Sequence, residues 1–134
     1  MDLEIRFARI DDGRLAAMAP AHWREKAAKM RFEREKRQEL VAGGLLADMI
    51  YGYGRIYFSL SHSDEVVMCV VSDRPVGCDV EKIVPLDEDT RREVGSIEAW
   101  VCREAVFKCG DPAAKARPVE APSGYAAAVA FASP

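Results

Sequence analysis

The chain has little of what marks several common functional classes. Its four cysteines, Cys69, Cys78, Cys102 and Cys109, include no C-x-x-C pair, and its two histidines, His22 and His62, stand far apart, so no zinc-finger ligand pattern is present. No apolar run approaches the roughly 20 residues that a helix needs to span a bilayer, so no membrane partner is expected. No secretory signal opens the chain, and a reducing cytoplasm is the expected home. There is no basic excess either: a net charge of -3 argues against nucleic acid as the main partner, because binders of the phosphate backbone carry surplus positive charge. No internal repeat is visible. What remains, 134 residues with 49% hydrophobic and 31% charged side chains, is the composition of an ordinary globular chain long enough to bury its own core. A single compact domain, 1–134, is expected.

The informative stretch runs from Ile56 to Glu81 and reads IYFSLSHSDEVVMCVVSDRPVGCDVE. Three strands fit it, with Ser, Asp and Pro at the turns and Val, Ile, Tyr and Phe in the runs. Ser61, His62 and Ser63 read as a loop between the first two. Short turns leave no room for a crossover helix, so the pairing should be antiparallel. Period-two alternation puts Asp79 and Glu81 on one face of the third strand and Cys78 and Val80 on the other. Two adjacent carboxylates repel each other, which is stabilised by a cation between them or relieved by solvent. A divalent ion such as Mg²⁺ fits the first case, since one or two carboxylates with phosphate oxygens and water commonly complete its shell. A solvated strand end fits the second.

Upstream, Asp2 to Ala8 alternates, with Leu3, Ile5 and Phe7 opposite Glu4 and Arg6, as in a half-buried strand. A short helix is expected over Arg14 to Ala19. Pro20 suits the first turn of another, and from there to Ile50 an amphipathic helix, or two in line, is interrupted by Gly43 and Gly44. That glycine pair marks either a break or a close backbone approach. Arg24 to Arg37 holds seven basic residues against three acidic ones, which reads as a solvated face laced with pairs such as Glu33 with Arg37. Downstream, Lys82 to Gly95 reads as a polar linker in which Asp87 to Asp89 is a turn or helix start. Ser96 should cap a helix that ends at Gly110, with Trp100, Glu104 and Lys108 on one face. Asp111 to Pro122, with three prolines, reads as a loop, and Tyr125 to Phe131 as a last buried strand. The fold class is therefore α+β, with the long helix and the Trp100 helix on a mainly antiparallel sheet.

FSLSHS, an apolar strand, SDRPVG and GCDVE together resemble the 4′-phosphopantetheinyl transferases of the surfactin-synthetase-activating type, whose signature is a Ser-His-Ser loop followed by a Gly-x-Asp-x-Glu strand. Trp100, Arg103, Glu104, Ala105 and Lys108 in WVCREAVFK are similar to that family's Trp-x-x-Lys-Glu-Ala-x-x-Lys motif. The resemblance implies a phosphopantetheinyl transferase-like fold of two similar halves, here 1–75 and a reduced 76–134, with the site between them. It implies a holo-acyl-carrier-protein synthase type of reaction, in which the phosphopantetheine arm of coenzyme A moves to a serine of an acyl or peptidyl carrier protein. By the same resemblance Asp79, Glu81 and Glu104 hold Mg²⁺ or Mn²⁺. Glu104 and Lys108 are catalytic, and Arg31, Arg34, Arg37, Ser61, His62, Arg103 and Lys108 contact coenzyme A.

The chain departs from the family in four ways. A Gly-Lys-Pro turn before the Ser-His-Ser strand is absent, with Arg55 the nearby substitute; the linker from Glu81 to Trp100 is short by about a helix; Arg103 stands for a lysine; and the region after Lys108 is cut to a loop and one strand. These departures keep two further readings open, a degenerate relative that binds coenzyme A or a protein without turnover, and an unrelated α+β interaction domain. A trimmed second half leaves self-association open as well.

Overall fold

A computed structural model describes residues 3–53 and 56–132. Asp2, expected to open the first strand, and Arg55, expected near the phosphates, lie outside these. The described residues form β1 (Glu4–Arg9), α1 (Gly13–Ala17), α2 (Ala21–Ala28), α3 (Glu33–Ile50), β2 (Tyr57–Ser63), β3 (Val66–Ser72), β4 (Val76–Lys82), α4 (Glu88–Val94), α5 (Ile97–Cys109), β5 (Lys115–Val119) and β6 (Tyr125–Phe131).

The fold is α+β, and its strands form two antiparallel three-stranded sheets where the sequence pointed to one. The first has the order β1-β3-β2 and the second β4-β6-β5. The turn at Asp73 to Pro75 therefore does not close a hairpin; it carries the chain from one sheet to the other. Each sheet is built by the same path of strand, helices and hairpin, so the two halves repeat one topology that their residues do not show.

Alternation explains the layering. In β3, Val67, Cys69 and Val71 face α3, packing with Val41, Leu45, Leu46 and Met49, while Val66, Met68 and Val70 face the second sheet and meet Val76, Cys78, Val80 and Val129. A strand buried on both faces has no polar side to show, which is why β3 reads VVMCVV without a break. In β6, Ala127 and Val129 point to the same inner core, and Ala128 and Ala130 point to α5, against Val101, Ala105 and Cys109.

The long amphipathic segment is two helices, parted at Lys29 to Phe32, and α3 continues through the glycine pair without a break. Gly43 and Gly44 mark close approach instead: a methyl on Gly44 would overlap the carbonyl of Leu15, and one on Gly43 would strike the Trp23 ring. Asp87 caps α4 inside the expected linker, and Ser96 caps α5 by accepting the Ala99 amide at 3.0 Å. Gly110 ends α5 at φ 81°, as read from the sequence. The segment taken as a prolyl loop contains β5, where Pro118 is tolerated because β5 pairs on one side only.

Candidate functional site

The site forms where the two sheets meet. Ser61, His62 and Ser63 are not a loop: they lie in β2, in register with Met68, Val67 and Val66, and the turn is reduced to Asp64 and Glu65. Asp64 takes a positive φ of 51°, which aspartate accepts more readily than most side chains. From Ser59 on, every second residue of β2 is a serine, and all three point to β4. Ser59 Oγ accepts from the Cys78 amide at 3.1 Å, Ser61 Oγ from Val80 at 3.1 Å and Ser63 Oγ from Lys82 at 3.0 Å. The partners advance together along both chains, so β2 and β4 run parallel, joined by hydroxyls in place of carbonyls.

On β4, Gly77, Asp79 and Glu81 face α5. Gly77 sits so close that a methyl would overlap the Ala105 carbonyl, and this contact brings α5 down on the strand. Asp79 is 4% exposed. Its Oδ1 accepts from Ser61 Oγ at 3.0 Å and lies 3.6 Å from Lys108 Nζ, while its buried Oδ2 has no hydrogen-bond partner among the described residues. Burial raises the Asp79 carboxyl above the ordinary carboxylate range, Lys108 and Ser61 oppose this, and Glu104 adds to it. Glu81, half-buried, lies 3.5 Å from Ser63 Oγ, and burial followed by the Asp79 charge raises it too, with Trp100 opposing. Lys108 Nζ also donates to the Leu60 carbonyl at 3.2 Å, which pins the end of α5 across β2. An apolar cleft of about 360 Å³ opens beside Glu81, lined mainly by Val84, Leu86, Val94, Ile97 and Trp100.

These positions test the donor set for a cation. Among the described residues no group of three or more His, Cys, Asp or Glu is arranged to hold a metal ion, so Glu104 does not complete a three-carboxylate set with Asp79 and Glu81 as the resemblance implied. Asp79 and Glu81 nevertheless fit the sparser set that Mg²⁺ takes, two carboxylates with the remaining positions left for water and phosphate, and the unpartnered Oδ2 is an oxygen that ion would satisfy.

The structure brings Ser61 and Lys108 onto Asp79, with Glu81 alongside and Glu104 near enough for its charge to act on Asp79. His62, on the α3 face of β2, is an exposed residue whose imidazole is still desolvated enough to sit below the ordinary histidine range, with Glu39 opposing and Lys108 and Lys26 adding to the shift. The three arginines are engaged elsewhere. Arg34 pairs with Asp64 at 2.8 Å and Glu65 at 3.6 Å, Arg37 with Glu33 at 3.4 Å, and Arg31 lies over the Phe32 ring at 5.5 Å. Arg103 donates to the Val94 carbonyl at 3.4 Å, toward α4. Lys26, held by Glu39 at 3.3 Å, is the basic residue of this region whose charge reaches His62, and the sequence singled it out only as one of seven. Seeing it would have required knowing that α2 folds back on α3. The four cysteines are free, and burial pushes the Cys78 thiol up to about 11, so the β4 cysteine is an inert core side chain.

No family model matches the chain. A stretch of 32 residues, 24% of the chain, is 53% identical to 14% of the length of a 4′-phosphopantetheinyl transferase, gsp, of Aneurinibacillus migulanus. A short segment of the chain is thus similar to a phosphopantetheinyl transferase.

Proposed function

We propose that the chain transfers the 4′-phosphopantetheine arm of coenzyme A to a serine of an acyl or peptidyl carrier protein, as a compact, surfactin-synthetase-activating type of phosphopantetheinyl transferase in the cytoplasm. The observation that carries this reading is the buried Asp79, with one oxygen tied to Ser61 and the other unpartnered, on the strand that bears the Gly-x-Asp-x-Glu signature. In the reaction the serine Oγ forms a bond to the pantetheine-side phosphorus and the bond from that phosphorus to the bridging oxygen breaks. The 3′,5′-bisphosphate of adenosine leaves. Mg²⁺, or Mn²⁺, bound by Asp79 and Glu81 would neutralise charge on the phosphates. Glu104, one turn before Lys108 on α5 and near enough for its charge to act on Asp79, would take the serine proton, and Lys108 would stabilise the leaving oxygen.

A second reading, a relative that binds coenzyme A or a carrier without turnover, is favoured by the arginines: Arg34 and Arg37 are neutralised by acidic neighbours rather than held ready for a phosphate. Intact-mass spectrometry separates the two. An apo carrier protein incubated with the chain, coenzyme A and Mg²⁺ should gain the mass of one phosphopantetheine, and Glu104→Gln should slow that gain at least 100-fold. No gain across several carriers, with coenzyme A still bound, would leave the second reading standing.

A further inference from the structure

The serine seam does more than join the sheets. A serine hydroxyl has one proton and two lone pairs. At Ser61 one lone pair is taken by the Val80 amide, so the proton must leave in another direction, and the acceptor found there is Asp79 Oδ1 at 3.0 Å. Ser63 repeats the arrangement one step on, accepting from Lys82 and lying 3.5 Å from Glu81 Oε2. Ser59 makes the same backbone contact, with Cys78, and donates to no carboxylate among the described residues. Backbone amides of β4 therefore set the direction of the hydroxyls, and two of these are directed at the side chains that flank each amide.

We propose that Ser61 and Ser63 are positioning residues for the carboxylate pair: each hydroxyl, held from behind by a β4 amide, occupies one carboxylate oxygen and fixes the side chain, which at Asp79 leaves the other oxygen for the cation. This rests on the reading that Asp79 and Glu81 bind a divalent ion. It gives the Ser-His-Ser pattern a role apart from ligand contact, since Ser61 is buried and its proton and one of its two lone pairs are used inside the protein. Ser59 supplies an internal control, because its loss costs the seam one backbone contact and no carboxylate contact.

The test is Mn²⁺ affinity in the presence of coenzyme A, read by electron paramagnetic resonance for the wild type and for Ser59→Ala, Ser61→Ala and Ser63→Ala, with thermal unfolding recorded for each. The expected result is a loss of affinity of about tenfold for Ser61→Ala, a smaller loss for Ser63→Ala, whose bond is longer, and less than twofold for Ser59→Ala, although all three melt earlier. Ser61→Thr, which keeps the hydroxyl, should recover most of the affinity. Equal affinity in Ser61→Ala and Ser59→Ala would overturn the positioning role. If Ser61→Ala fails to fold, the comparison of Ser63→Ala with Ser59→Ala decides in the same way. A wild type that binds no Mn²⁺ would instead overturn the metal reading on which the proposal stands.

Discussion

Asp79 shows how one side chain can be poor for the fold and good for a site. It is buried, its Oδ2 has no partner among the described residues, and its strand neighbour Glu81 carries the same charge. Both carboxyls have folded-state values above their unfolded ones, so between those values the native state binds more protons than the unfolded state. Stability from this pair therefore falls as pH rises from the unfolded carboxylate range toward neutral. His62 acts in the opposite sense below its unfolded value of 6.5, because its imidazolium is disfavoured in the fold. The difference between wild type and Asp79→Asn isolates the carboxylate. Without ligand, Asp79→Asn should melt higher than the wild type at pH 7.5, and the gap should shrink as pH is lowered to 4.5; a variant that melts lower at pH 7.5 would mean that the Lys108 pair outweighs the cost of burying the Asp79 charge. Asp79 was legible as a candidate because strand alternation is a local rule. Ser61 was singled out as well, but as a coenzyme A contact; its bond to Asp79 was not legible, since nothing local says which strand edge β2 will meet.

At the scale of elements, the seam and α5 depend on one another through Gly77, where the strand and the helix backbones touch. A Cβ there has backbone atoms in its way, and neither β4 nor α5 can turn aside as a flexible side chain would. Gly77→Ala should destabilise the fold by at least the 1–3 kcal/mol typical of overpacking, measured by urea unfolding, and should move Lys108 away from Asp79. An unchanged midpoint would mean that α5 is not seated on β4 as described. The elements were readable where their signals are local: the caps Ser96 and Gly110, the alternation of β1 and the run of β6. They were misread or left undecided where tertiary partners decide. The prolyl stretch became β5 because β6 offers it a free edge, and the glycine pair stayed helical because α1 and Trp23 pack against it. Ser61, His62 and Ser63 became strand because β3 pairs with them through the turn at Asp64 and Glu65.

The molecule as a whole repeats one topology and places its candidate site on the line of contact between the copies. That arrangement explains why the chemistry-bearing residues come from β2, β4 and α5, which lie apart in the chain and meet only when the second sheet folds against the first. The two halves were implied by the family resemblance alone and not by any repeat of residues, because the matching positions differ in kind: α3 is an 18-residue helix and α5 a 13-residue one, and the inner strands are Val-rich in one sheet and Ala-rich in the other. In the proposed function the Asp79 and Glu81 corner of this interface takes phosphate through a divalent ion. Calorimetric titration with coenzyme A in Mg²⁺, in EDTA and with Asp79→Ala in Mg²⁺ measures it most directly. Binding in Mg²⁺ that weakens at least tenfold in EDTA and in the variant is the predicted result. Equal binding under all three conditions, or none with Mg²⁺ present, would contradict it.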